Sequence, residues 1–129
     1  MSATKKILIV DDEPDIVILT EKFLELENFQ TISCTDGKEA LRIIEEEYDE
    51  IALVLLDLMM PGISGYEILK SIKSNEKYKR ILVVLFSVRS FTEDIQKGKE
   101  LGADGYLVKA ISGKELINYV KTILTQQIS

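Results

Sequence analysis

The apolar positions of the chain fall into five short runs separated by five stretches with helical spacing. Ile7-Leu8-Ile9-Val10, Ile51 to Leu56 and Ile81 to Phe86 are continuous and rich in branched side chains. That pattern suits strands covered on both faces, as in a parallel sheet. Thr31-Ile32-Ser33-Cys34 alternates and Tyr106-Leu107-Val108 is short, so these two are expected at the sheet edges. Between the runs lie helix signals. Pro14 suits a first turn, and Ile16, Leu19, Phe23 and Leu26 recur at helical spacing, which predicts a buried face. Asp36 to Glu39, Ser64 to Glu67 and Ser112 to Glu115 each have capping-box spacing ahead of an apolar stripe. A weaker helix is predicted from about Thr92 to Leu101, with Gly98 inside it costing up to about 1 kcal/mol against alanine. Thr125 to Ser129 is expected to fray. The order βαβαβαβαβα implies right-handed crossovers and a five-stranded parallel sheet with helices on both faces.

Composition narrows the function. One domain of 129 residues, with a core over about residues 5–125, accounts for the whole length, and no separate output or catalytic module is expected. The formal net charge of −6 argues against a phosphate-backbone binder, so no direct nucleic-acid contact is expected. The absence of histidine removes Ser-His-Asp and Cys-His nucleophile systems and histidine zinc sites. The single cysteine, Cys34, forbids an internal disulfide and reads as a small apolar side chain. No apolar run approaches a membrane span or a signal-peptide core, which leads to the expectation of a cytoplasmic protein with no membrane insertion. Asp36-Gly37-Lys38-Glu39 lacks the rest of a P-loop, and no dinucleotide-binding glycine motif follows a strand.

The chemistry gathers at one end of the sheet. Ligands of an open parallel sheet bind beyond the carboxyl ends of its strands, where strand order reverses. Asp11 and Asp12 follow the first strand, Asp57 the third, Ser87 the fourth and Lys109 the fifth. Singly, Asp11 and Asp12 read as helix caps, Ser87 as a turn hydroxyl and Lys109 as a solvated charge. Asp57 is different, because it ends the run Ile51 to Leu56 and precedes Leu58-Met59-Met60, where a charge is close to burial. Three carboxylates in contact repel one another, and a hard divalent cation is the natural compensator. A carboxylate in such a site can act as a nucleophile toward phosphorus, with the hydroxyl and ammonium placed for the oxygens of the transferred group.

These residues sit in stretches that resemble the receiver domain of two-component response regulators over essentially the whole chain. The matching segments are Ile7 to Pro14, Leu55 to Gly65, Phe86-Ser87 and Gly102 to Lys109. The resemblance implies a flavodoxin-like, doubly wound sheet of order 2-1-3-4-5 with five helices on both faces. It implies that Asp57 is the phosphoacceptor, taking a phosphoryl group from a histidine kinase or a histidine phosphotransfer protein. It implies Mg²⁺ (or Mn²⁺) held by Asp12 and Asp57, by Asp11 through water, and by the main-chain carbonyl of Met59. Ser87 and Lys109 would meet phosphoryl oxygens. Tyr106 would turn inward as Ser87 shifts, coupling the site to a surface made by the fourth helix, fifth strand and fifth helix. The structural alternative for Tyr106 is packing on the last helix. A separate downstream protein target and a phosphorylation-dependent homodimer are further implications, and the only enzymatic activity implied is on the chain's own aspartyl phosphate.

Two positions depart from the family. Ala110 stands where relatives carry proline with a cis bond. A non-proline cis bond costs about 2.5–4 kcal/mol; it is nonetheless expected to be kept, because it sets the placement of Lys109. Val88 replaces a small residue after Ser87, and it is expected to narrow access to the phosphoryl group, with Arg89 covering the site or binding its anion. These departures leave room for a degenerate receiver acting as a phosphorylation-independent interaction module. A Mg²⁺ phosphatase with an aspartyl intermediate is disfavoured, because Met59 occupies the place of its usual second aspartate.

Overall fold

The computed structural model describes residues 5–88 and 91–126. Five strands alternate with five α-helices: β1 Lys6–Val10, α1 Pro14–Leu26, β2 Gln30–Cys34, α2 Gly37–Glu47, β3 Ile51–Leu56, α3 Gly65–Lys73, β4 Leu82–Ser87, α4 Thr92–Glu100, β5 Gly105–Val108 and α5 Gly113–Gln126. All strand pairs are parallel and the sheet order is β2-β1-β3-β4-β5. This is the flavodoxin-like order expected, with β2 and β5 at the edges.

Strand alternation divides the core into two layers. Leu8, Val10, Val54, Leu56, Val83 and Leu85 face a layer built with Ala40, Ile43 and Ile44 of α2 and Ile68, Leu69 and Ile72 of α3. Ile7, Ile9, Leu53, Leu55, Val84 and Phe86 face the opposite layer, built with Val17 and Leu24 of α1 and Leu116, Val120 and Ile123 of α5. Continuous apolar runs are thus required in the three central strands, since each of their faces meets a helix layer.

The expected face of α1 is wrong by part of a turn. Val17, Thr20 and Leu24 are buried, whereas Leu19 and Leu26 are 51% and 74% exposed. Ile16 and Phe23 are half-buried at the edge of the contact. Apolar side chains run almost all round this helix, so spacing alone does not single out one stripe. The helix starts read from capping spacing are realised. Asp36 accepts from Glu39 N–H at 2.8 Å, and Ser64–Glu67 and Ser112–Glu115 form reciprocal capping boxes. Thr125 and Gln126, expected to fray, belong to α5, and Thr125 Oγ1 donates to the Lys121 carbonyl at 2.7 Å; the rest of that expectation, residues 127–129, lies outside the described residues. Gly98 is a requirement of α4 rather than only a cost, since a Cβ there would stand 2.5 Å from Leu85 Cδ1.

Gly65 opens α3 directly behind the end of β3. Its N–H donates to the Leu58 carbonyl at 3.0 Å, and a Cβ would fall 2.2 Å from the Asp57 carbonyl oxygen and 2.8 Å from Leu58 Cα. Both obstacles are backbone, so the loop carrying Asp57 would have to move. Gly65→Ala is therefore expected to lower stability by about 1–3 kcal/mol, the usual overpacking cost, measured as a fall in the urea midpoint.

Candidate functional site

Strand register brings the polar residues together. Val10 pairs with Leu56, so Asp11 and Asp57 leave adjacent strands side by side, and Asp57 N–H donates to the Val10 carbonyl at 2.9 Å. Ser87 pairs with Val108, and the next residue, Lys109, donates its N–H to the Ser87 carbonyl at 2.8 Å. Asp11, Asp57 and Ser87 are buried, and Asp12 is half-buried. Carboxylate oxygens of Asp11, Asp12 and Asp57 all lie within 4.8 Å of one another. The Lys109 side chain is only 7% exposed, and its Nζ lies 2.6 Å from Asp11 Oδ2 and 3.5 Å from Asp57 Oδ1. All five polar residues expected at this end of the sheet are there.

The Lys109–Ala110 bond is trans, since the described residues contain no cis peptide bond. This corrects the expectation of a cis bond. Without proline the amide keeps its strong trans preference. Lys109 stays in the site all the same, because the β4–β5 ladder extends through its N–H and the turn closes with Ile111 N–H donating to the Val108 carbonyl at 3.2 Å. The Tyr106 side chain is half-buried against the layer of α2 and α3, while its main chain meets the Tyr119 hydroxyl of α5. Its neighbour Leu107 takes the α5 side, as alternation along β5 demands. Val88 is 69% exposed at the rim, and Met59, whose N–H donates to Asp57 Oδ1 at 3.4 Å, turns its side chain outward. Arg89 lies outside the described residues.

The sequence reading missed Glu13. Its Oε1 accepts from Lys109 Nζ at 3.3 Å, which gives the ammonium a third carboxylate. A signal was available: glutamate is a poor N-cap, yet it occupies the position immediately before the helix start at Pro14.

Burial, and next the charge of Asp11, push the Asp57 carboxyl up to about 7; Lys109 and the Met59 N–H pull the other way, and Asp12 adds to the rise. Burial draws the Lys109 ammonium down, but Asp11, Asp57 and Glu13 outweigh it and leave its pKa raised. Asp11 Oδ2 has almost no solvent contact, and its approach to Lys109 is a close ion pair rather than an aligned hydrogen bond. A crowded set of carboxylate oxygens, one of them ion-paired but without an aligned hydrogen bond, fits a hard divalent cation. The other buried titratable group near this end of the sheet is inert, since burial drives the Cys34 thiol up to about 12.

The raised Asp57 value has a consequence for metal-free protein. The folded state binds a proton that the unfolded chain has already released, so stability is lost as pH rises from about 4 to about 7. In EDTA, Asp57→Asn is expected to raise the urea midpoint at pH 8 and to change it little at pH 4. Equal effects at both values would refute the repulsion assigned to this cluster.

The sequence matches the response regulator receiver domain over residues 7–121. A CpxR homologue of Haemophilus influenzae, a transcriptional regulatory protein, is 40% identical over 124 residues, covering 96% of this chain and 52% of the relative. The chain spans about half the length of the curated relatives it matches. The beryllofluoride-activated receiver domain of DrrB from Thermotoga maritima superposes with a TM-score of 0.84 at 32% identity, covering 95% of this chain and 99% of that one. The Mn²⁺-bound form of the response regulator Rcp1 gives 0.77 at 30% identity, covering 92% and 91%. Family match, sheet order and the placement of the acidic cluster agree, and the chain belongs to the receiver domains of response regulators.

Proposed function

We propose that this receiver accepts a phosphoryl group on Asp57 from a histidine kinase or a histidine phosphotransfer protein. It would then use the added charge to change the surface formed by α4, β5 and α5. The observation that carries this reading is a buried Asp57 with two carboxylates gathered beside it and the Lys109 ammonium 3.5 Å away. A buried cluster of that kind is costly in a merely structural role. Its setting in a cytoplasmic signalling pair belongs to the same proposal; among the described residues no helix is long and apolar enough to cross a membrane.

Asp11, Asp12 and Asp57, with the main-chain carbonyl of Met59, would hold Mg²⁺ or Mn²⁺. Such an ion, when bound, neutralises the carboxylates and the charge of the transferred group. The remaining chemistry belongs to the chain. A carboxylate oxygen of Asp57 bonds to phosphorus as the P–N bond of the phosphohistidine breaks and its electron pair returns to the imidazole nitrogen. The Lys109 ammonium and Ser87 hydroxyl would meet the phosphoryl oxygens, where negative charge is greatest. Attack of water on phosphorus releases phosphate and restores the Asp57 carboxylate. The domain thus acts on its own aspartyl phosphate alone. That Lys109 lies against Asp11 and Asp57 despite the trans Ala110 bond supports an operative site over a degenerate one.

Acetyl phosphate with Mg²⁺ is expected to add one phosphoryl group, seen by intact-mass spectrometry. Asp57→Asn is expected to abolish the gain, as is EDTA, and Lys109→Met to slow labelling on the order of 100-fold. Undiminished labelling of Asp57→Asn would overturn the assignment. Val88 is exposed next to Ser87, where its branched side chain would limit the approach of water. Val88→Ala is expected to shorten the phosphate lifetime by a few-fold in a release assay, and an unchanged lifetime would remove Val88 from the site.

A further inference from the structure

The least expected contact in the site is that of Glu13. It occupies the N-cap position of α1 with extended backbone angles, φ −101° and ψ 104°, and its side chain makes no capping hydrogen bond. The residue types that cap well are Ser, Thr, Asp and Asn, whose short side chains reach back to the helix N–H groups. The main chain of Glu13 serves local structure, its N–H donating to Asp11 Oδ1 at 3.0 Å and its carbonyl accepting from the Ile16 and Val17 N–H groups at 3.0 and 3.1 Å. Its carboxylate reaches across to β5, 96 residues away in sequence, and takes a hydrogen bond from Lys109 Nζ at 3.3 Å.

The Lys109 ammonium therefore stands among three carboxylates: Asp11 at 2.6 Å, Glu13 at 3.3 Å and Asp57 at 3.5 Å. The longest of these separations is to the proposed phosphoacceptor. Pairing with a phosphoryl group on Asp57 requires the ammonium to exchange present partners for new ones. Asp11 belongs to the group of carboxylates that can share a cation, so its hold on Lys109 weakens when a cation is present. Glu13 is not part of that group, so a cation there would leave its contact with Lys109 uncontested.

We propose that Glu13 is a positioning residue that restrains the Lys109 ammonium in the resting site and competes with the phosphoryl group for it. The inference rests on the reading of Asp57 as phosphoacceptor and adds a control on that site. Removing the competitor leaves Lys109 freer to pair with the phosphoryl group. The Glu13 side chain is 59% exposed, so solvent screening keeps the effect modest.

The test uses beryllofluoride as a stand-in for the phosphoryl group, titrated calorimetrically into the whole chain at saturating Mg²⁺. Two variants separate reach from charge. Glu13→Gln removes the charge; Glu13→Asp keeps it but is one methylene shorter and suited to cap α1. Both are expected to bind beryllofluoride about two- to fivefold more tightly than wild type. In metal-free protein both are expected to shift the Lys109 Nζ resonance in ¹⁵N NMR, a readout that a helix-capping role would not move. Wild-type affinity in Glu13→Gln, or wild-type behaviour of Glu13→Asp in both measurements, would overturn the proposal and leave the phosphoacceptor reading intact. Failure of the wild-type chain itself to bind beryllofluoride would overturn that reading and this proposal with it.

Discussion

The constraint on which this structure turns is the crowding of like charge at the carboxyl end of a parallel sheet. Asp11 and Asp57 leave neighbouring strands in register, and Asp12 completes a cluster whose oxygens all lie within 4.8 Å. Water cannot disperse this charge, because two of the three residues are buried. Among the described residues, the buried side chain of Lys109 supplies the compensating ammonium. The apolar layers on both faces hold the strand ends in place, so the carboxylates cannot relieve their repulsion by moving apart. Stable packing thereby maintains an unfavourable electrostatic arrangement, the situation in which shifted pKa values and chemical reactivity arise.

The placement of Lys109 shows how little this site depends on the peptide bond that follows it. Ala110 allows the ordinary trans amide, and the ammonium still reaches Asp11. Two anchors account for this. The main-chain ladder from β4 fixes the Cα of Lys109, and three carboxylates attract its head group. A four-carbon stem has enough freedom to satisfy both whatever turn comes next. The expectation of a cis bond treated the turn as the cause of the lysine position, whereas strand register and charge are sufficient.

Most of the fold was legible in the sequence, and the failures share a physical source. Branched runs gave the central strands because each must bury both faces, and capping spacing gave the starts of α2, α3 and α5 because a side chain that caps the N–H three residues on needs that interval. The five polar site residues were legible because parallel topology sends all strand ends to one edge. Periodicity did not settle the buried face of α1, where apolar residues outnumber the positions that the core can accept. Nor did it place Glu13, whose partner lies 96 residues away and is chosen by side-chain reach. Gly98 was read as a penalty on α4 because no local rule reveals that Leu85 lies against it.

The helix α4 shows what kind of element can answer a change in charge. Gly98 is its one buried residue, whereas α2 and α3 each bury four. Its link to α3 is largely polar: Tyr66 Oη donates toward the Asp94 carbonyl at 3.2 Å and Oδ1 at 3.1 Å, and Lys97 Nζ stands 4.3 Å from the centre of the Tyr66 ring. Polar and cation–π contacts at a partly exposed surface contribute only a fraction of what a buried apolar stripe does. Displacing α4 therefore costs less than displacing any helix that seals a core layer. β4 ends at Ser87, beside the charge cluster, and the chain reaches α4 within five residues. The rigid part of the fold thus holds the carboxylates together, while the lightly held helix follows directly from the strand that ends among them.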